Sequence, residues 1–477
     1  MTMKSTQPSS PSTCTWAAWV WRPPRMGLAP ASHDAVDSIP PVKTGGNIDD
    51  KRIGVGTTMY YHVDVAGGLL SMGDAHMAQG DSELDGTGIE TSLTGDFKIT
   101  LVKKKDLAAW QVDLDIPLGE TASHWIVHSF TKIDYLATYP DDPAAIYGTS
   151  SIDAALKNTF AQTRRFLMAM YGVTDDEATT LITEGVDFGI TQVVDGDWGV
   201  HALVPKEVFE DPLGETVPVT AMDLGKPDLA LSNETVHWGY FSKDLDPVLT
   251  VASDAEVVIE MATHHACDDW DKMIKGDEGM ESIFTWGEAT KNEAFRGATG
   301  GGDGVHVLTG PIYVEEAEPG DILKVTILDL QLRINAEGRA FGSNANAWFG
   351  YQARVPQADD SVFDAGDATS TPGVNDETVT IYELVTDAGT GMSYAVPSYA
   401  FEWPTLTDPD GVERNYIQYP GTCVPHDAHG AMTVLADVSE LGWTKAAAIT
   451  YFDDSASQPL LAPGDSRWPL GCPLEFV

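Results

Sequence analysis

The chain has 477 residues and carries 72 Asp+Glu against 28 Lys+Arg, a formal net charge of −44. That balance repels phosphate backbones and anionic lipid surfaces, which excludes nucleic-acid and membrane-surface partners. A hydrophobic fraction of 43% with 13 Trp, 15 Tyr and 15 Phe is too rich for an acidic disordered chain. The charge must therefore sit outside a large core. It is spread over loops such as Asp141-Asp142, Asp175-Asp176-Glu177 and Asp268-Asp269, which reads as a surface for high salt, where the Debye length shrinks to roughly 3 Å at 1 M. Cys14, Cys267, Cys423 and Cys472 form no CxxC pattern, and so few cysteines point to a reducing compartment. The Trp16–Trp21 run has neither the length nor the cleavage site of a signal peptide, and no apolar stretch is long enough to span a bilayer. The expectation is a soluble, cytoplasmic protein.

In chain order, residues 1–25 are rich in Ser, Thr and Pro and are expected to be disordered. Thr57 to Leu70 is β-rich, and Asp96 to Lys103 alternates apolar and polar residues as a half-buried strand does. Met72 to Glu83 between them reads as a polar loop without strong secondary structure. Ser151 to Tyr171 has apolar residues near helical spacing with Gly172 as a stop, and Thr174 to Glu177 is a capping box opening a second helix to about Ile182. Val193 to Trp198 reads as strand, turn, strand. Residues 211–231 have Pro and Gly at intervals and read as a linker. Val248 to Ile259 brackets a turn at Ser253-Asp254, and Asp321 to Gln331 reads as a strand after the Glu318-Pro319-Gly320-Asp321 turn. Residues 426–477 read as an irregular tail with no closing strand.

Several of the 12 histidines cluster with carboxylates in turn-like segments. Asp74, His76, Asp81 and Glu83 share one Gly-containing loop, His264 and His265 lie in Thr-His-His-Ala-Cys-Asp-Asp, His237 opens His-Trp-Gly-Tyr, and His306 precedes Leu-Thr-Gly-Pro. Imidazole with carboxylate is the donor set of a borderline metal such as zinc. Gly300 to Gly304 lacks the Lys-Ser/Thr of a phosphate loop. Cys267 near His265 is a weaker nucleophile candidate.

GGNIDDKRIGVGTTMYYHVDVAGGLLSMGDAHMAQGDSELDGTGIE (45–90) and GPIYVEEAEPGDILKVTILDL (310–330) resemble the signature regions of the acetamidase/formamidase family. VHWGYFSKDLDPVLTV (236–251), THHACDDWDKM (263–273) and VDFGITQVVDGDWGVHALVPKEVF (186–209) resemble its longer members. The resemblance implies a mainly β (α+β) fold, sandwich- or barrel-like, with a small helical insertion around 150–185. It also implies metal-dependent hydrolysis of small linear amides with Zn2+, and a homo-oligomer, a dimer or higher. Segment order is reversed relative to the family. Residues 26–210 resemble its C-terminal half and 232–425 its N-terminal half, the two packing as one domain across the 211–231 linker. A circular permutant, a fusion of tandem halves and a disrupted reading frame would each give this order. His62 stands where the family usually has Pro.

Carried over by resemblance, the site joins both halves. His76, His237, His265 (with His264 as the less favoured alternative to it) and Asp74 are expected to bind the metal, Glu83 to act as general base, and Asp81 to orient it. The implied reaction is attack of a metal-activated water on the amide carbonyl, releasing ammonia and a carboxylate. A permuted non-catalytic pseudo-enzyme, or a small-ligand-binding β-sandwich protein, remains the alternative.

Overall fold

Alternation of apolar and polar side chains along Ala255–Met261, with burial on every second residue, gives a strand one buried face. In this computed structural model the described residues are 25–84, 86–108, 116–206, 225–284 and 306–346, with short strands between 378 and 469. An eight-stranded sheet runs in the order Asp187–Gln192, Gly199–Pro205, His124–Phe130, Leu118–Glu120, Thr58–His62, Ile322–Leu332, Leu93–Val102, Ala255–Met261. Every neighbouring pair in it is antiparallel. At one end of it, strands from before residue 210 and after residue 225 interleave: Ile322–Leu332 lies between Thr58–His62 and Leu93–Val102, and Ala255–Met261 follows Leu93–Val102.

A second sheet runs Val236–Trp238, Val307–Val314, Leu70–Gly73, Arg25–Gly27, Gly45–Gly46, with Leu249–Val251 parallel to Val307–Val314. The main core draws on both sheets, with Met26, Leu70 and Ile312 meeting Phe97, Ile259 and Val325. A third sheet begins with His76–Ala78 and Ile89–Glu90 and continues through Ala340–Asn346, Thr378–Thr386 and Ser393–Glu402. The fold is mainly β, with the helices inserted where the sequence places them. Ile152–Tyr171 is capped by the Ser151 side chain and ends at Gly172 with φ 69°. Its Ala155, Thr159, Phe166 and Leu167 are buried, and Phe166 stacks edge-on to Trp125 with ring centroids 5.6 Å apart. The Thr174/Glu177 capping box opens Asp175–Gly185.

Several local expectations differ. The β-rich Thr57–Leu70 segment splits into Thr58–His62 and Leu70–Gly73, because Gly67 and Gly68 both take positive φ in the turn between. The polar loop contains the short strand His76–Ala78, supplied with partners by Ile89–Glu90. Val193–Trp198 is all turn, its backbone held where Gln192 Oε1 accepts from the Val194 and Asp195 N–H groups. Arg25 is not disordered: it opens a strand and is buried; residues 1–24 lie outside the described residues. Of the expected linker, 207–224 lie outside them too, while Leu229 bridges to Ile259 and Leu231 is buried. In the tail, Ile449–Tyr451 and Trp468–Pro469 pair with Ser393–Glu402; the rest of it lies outside the described residues, as does Gly300 to Gly304. Among the described residues no helix is long and apolar enough to cross a membrane.

A close approach between strands lies at Gly73, where a Cβ would sit 1.8 Å from the Val307 carbonyl oxygen. Gly73→Ala must push two paired backbones apart. It is expected to cost about 3 kcal/mol or more in urea unfolding, at or above the upper end of overpacking. Gly185→Ala, at a helix end with open space around it, should stay within about 0.5 kcal/mol of the parent.

Candidate active site

The site forms where the second sheet hands the chain to the third. Strand Leu70–Gly73 ends flush against Val307–Val314, the chain turns at Asp74, and it re-enters as His76–Ala78. Asp74 (φ 49°), Asp49 (φ 57°) and Glu83 (φ 47°) all lie in the left-handed region. Non-glycine residues pay of order 1–3 kcal/mol there and persist only where the surroundings over-determine them. Asp74 is fixed by its own N–H, which donates to the Ala262 carbonyl at 3.2 Å. Gly88 leaves room for the imidazole beside it, since a Cβ there would lie 2.7 Å from His76 Nδ1.

Asp74 is fully buried and sits at the centre. Its Oδ1 accepts from Thr263 Oγ1 and His264 Nδ1, each at 3.1 Å. Its Oδ2 lies 2.8 Å from Arg25 Nε and 3.4 Å from His306 Nε2. Arg25 Nη1 donates to His306 Nε2 at 2.6 Å, so the His306 proton is on Nδ1, which donates to Ser38 Oγ at 2.8 Å. Arg25 Nη2 lies 3.2 Å from Asp49 Oδ1 and 3.7 Å from Glu83 Oε1. His76 donates from Nδ1 to Gln79 Oε1 at 2.9 Å, while Gln79 Nε2 donates to the Asp49 carbonyl and fixes that amide's orientation. His76 Nε2 is left for Glu90 Oε1, 3.0 Å away. A cleft lined by Ile48, Asp49, Tyr61, His76 and Gln79 opens onto Arg25.

Protonation follows from burial and crowding. Burial would raise Asp74, but Arg25, His306 and His264 outweigh it and hold the carboxyl well below its usual range. Burial, then the Asp49 charge, pushes Glu83 well up; burial, then Asp49 and Glu83, does the same to Asp195. Burial, with Arg25 beside it, drives His306 well down, and burial with His265 lowers His264, so both imidazoles are neutral. Burial also opposes charge on His76, yet Glu90 and Asp74 together outweigh it and His76 is raised well above its ordinary value.

Three donor groups converge here, each with its ligand atoms within 4.8 Å of one another: Asp74/His264/His306, Asp49/His76/Glu83 and Asp74/His76/Glu90. Asp49 Oδ2, Asp74 Oδ2, Glu90 Oε2 and both Glu83 oxygens are buried without a hydrogen-bond partner. Buried polar atoms left in this state are costly, and a concentration of them with imidazole nitrogens fits a divalent ion with N and O ligands.

Of the residues expected from sequence, Asp74, His76 and Glu83 come together in this cluster. Asp81 does not reach it: its carboxylate is bidentate to Arg52 at 2.9 Å and lies 3.0 Å from Lys51, on the outer side of the loop. His237 is buried behind the strand, its Nε2 2.9 Å from Ser71 Oγ, and burial pushes it down to about 4. His265 pairs with Asp268 at 2.9 Å. Neither His237 nor His265 belongs to a donor group; their neighbours His306 and His264 do. Cys267 is disulfide-bonded and offers no thiol nucleophile. Arg25, Glu90, Gln79 and Asp195 were not expected. Glu90 had a readable signal, being the charged end of the Gly88-Ile89-Glu90 stretch inside the signature segment; Arg25 had none.

The sequence profile of the acetamidase/formamidase family matches residues 17–211 and 300–447, more than two-thirds of the chain. A formamidase from Methylophilus methylotrophus is 40% identical over 74 residues, 15% of this chain and 18% of that protein. An acetamidase from Mycolicibacterium smegmatis is 38% identical over 77 residues, 16% of this chain and 19% of that one. The matched stretch thus spans under a fifth of either relative's length. Among solved structures, an acetamidase from Bacillus halodurans aligns at TM-score 0.30 and 22% identity, over 40% of this chain and 58% of that one. One from Yersinia enterocolitica aligns at 0.30 and 22%, over 39% and 50%.

Behind the site, His201 donates or accepts at Thr191 Oγ1, 3.0 Å away, and burial pushes it down from 6.5 to about 4. Its folded value is the lower one. Between pH 6.5 and 4 the unfolded chain therefore takes up a proton that the folded chain refuses, and stability falls as the pH drops through that window. His201→Gln removes this dependence. Urea unfolding at pH 7.5 and pH 4.5 should show the variant losing less stability on acidification than the parent, by up to roughly 3 kcal/mol.

Proposed function

The chain belongs to the acetamidase/formamidase family, and from that premise we propose that it hydrolyses the C–N bond of a small linear amide to ammonia and a carboxylate. The observation that carries this reading is the buried meeting of Asp74, His264 and His306 with Asp49, His76 and Glu83, among carboxylate oxygens that have no hydrogen-bond partner. Asp74, His264 and His306 would hold the ion, because metal-binding imidazoles must be neutral and these two are. They take the places that the sequence assigned to His265 and His237. The mixed imidazole–carboxylate donors favour zinc.

When bound, such an ion polarises a carbonyl and lowers the pKa of water to about 7. The remaining work falls to the chain. Glu83, raised by burial and by Asp49, takes a proton from the attacking water on a carboxylate oxygen and returns it to the departing nitrogen. The left-handed backbone at Glu83 aims that carboxylate into the cluster and not outward with Asp81. Gln79 holds His76 with Nδ1 protonated, so that Nε2 faces the site. The narrow cleft at Ile48, Tyr61 and Gln79 suits a small amide and excludes bulk water.

The insertion of Ile322–Leu332 between Thr58–His62 and Leu93–Val102 supports reading 26–210 and 232–425 as the late and early halves of one domain in permuted order. The charge of −44 supports operation in high salt, and we read the protein as oligomeric; the disulfide at Cys267 departs from the reducing compartment expected from its few cysteines.

Ammonia release from formamide, acetamide and a longer amide, in molar KCl with zinc or with chelator, tests the reaction. Turnover is expected on at least one short amide and should stop in chelator; turnover indifferent to chelator sinks the metal, and none on any amide sinks the hydrolase. Glu83→Gln should lower kcat by about 10²- to 10⁴-fold with little change in KM. In a separate measurement Tm should climb as KCl is raised from 0.1 M to 3 M; a flat or falling Tm would remove the high-salt reading.

A further inference from the structure

The same donors that suit a divalent ion already enclose a cation of the chain itself. We propose that Arg25 is a built-in occupant of the metal site, and that a divalent ion can load only by displacing its guanidinium. This rests on the metal reading proposed above, and it adds that the native chain resists loading.

Arg25 reaches every donor group. It contacts Asp74 and His306 of the first, Asp49, His76 and Glu83 of the second, and Asp74 and His76 of the third. An ion bound by any of them would therefore stand within about 4 Å of a fixed positive charge. At that distance a +2 ion and a guanidinium repel by many times RT even at an effective dielectric of about 20. His306 makes the conflict specific: the Nε2 lone pair that a metal would use accepts from Arg25 Nη1 at 2.6 Å. The two states exclude each other atom for atom.

The guanidinium is also an imperfect occupant. Arg25 Nε lies 2.8 Å from Asp74 Oδ2, yet neither atom makes an aligned hydrogen bond. A planar fork cannot point an N–H at each of five groups arranged around it, whereas a spherical ion has no such directional demand. Withdrawal is local. Arg25 opens a strand of only three residues, Arg25–Gly27, so a rotamer change or release of its first residue frees the donors.

The test uses the full-length chain stripped of metal and titrated with zinc against a chromophoric chelator, with Tm followed in parallel. Arg25→Met should bind zinc at least about 100-fold more tightly than the parent and show the larger zinc-induced rise in Tm. Arg25→Lys, which keeps the charge, should stay within about tenfold of the parent. Adding Asp74→Asn to Arg25→Met should abolish the gain and so locate the ion. Should Arg25→Met fold only when zinc is added, that folding is itself the expected result. Equal and tight binding by parent and Arg25→Met overturns the inference and leaves the metal reading standing. Binding by none of the three proteins overturns the metal reading, and this inference with it.

Discussion

The structure turns on a single constraint: a carboxylate, Asp74, is fully buried at the junction of two sheets, and its charge must be answered. Thr263 and His264 reach it from one segment, and His306 and Arg25 from two others. Those segments are tied in place by the strands around them. Val307–Val314 presses on Gly73 so closely that only glycine fits, and that contact sets where the chain turns and which way Asp74 faces. His76 follows two residues later, opposite Glu90 in the third sheet. The strained backbone at Asp49, Asp74 and Glu83 is the local cost of bringing carboxylates together. Native folds tolerate such strain where rigid packing supports it.

Elements governed by local rules were legible from the sequence. Ser151 and Gly172 fixed the first helix almost to the residue and the Thr174/Glu177 box fixed the start of the second, which runs past the expected Ile182 to Gly185, because capping depends on neighbours only a few positions away. The strands Leu93–Val102 and Ile322–Leu332 were readable by alternation. The Val193–Trp198 turn was misread because its two flanking valines resemble strand; their burial comes from the turn folding back, with Gln192 satisfying its backbone.

The site was half legible for the same reason. Asp74, His76 and Glu83 share one loop, so a motif could group them. The candidate donors from later in the chain lie close to the expected ones: His264 beside His265, and His306 just before the strand Val307–Val314, in which Leu308 pairs with His237. In a 3-10 turn, consecutive side chains point in different directions, and only the fold decides that His264 faces Asp74 while His265 faces Asp268. Arg25 could not be foreseen, since its role depends on a strand pairing between Gly27 and both Gly45 and Ser71.

The site is assembled from residues far apart in the chain. The contacts that define the site join residues 190 positions apart for His264 and Asp74, 268 for Ser38 and His306, and 281 for Arg25 and His306. Contact geometry is indifferent to which half comes first; only the loop-closure entropy changes, and it grows slowly, by about 0.6 kcal/mol for each doubling of loop length. Separation along the chain therefore carries little energetic penalty at the site itself. What the strand pairing fixes is what lies next to the site: Arg25 opens the strand Arg25–Gly27, and its guanidinium lies 2.8 Å from Asp74 Oδ2 and 2.6 Å from His306 Nε2.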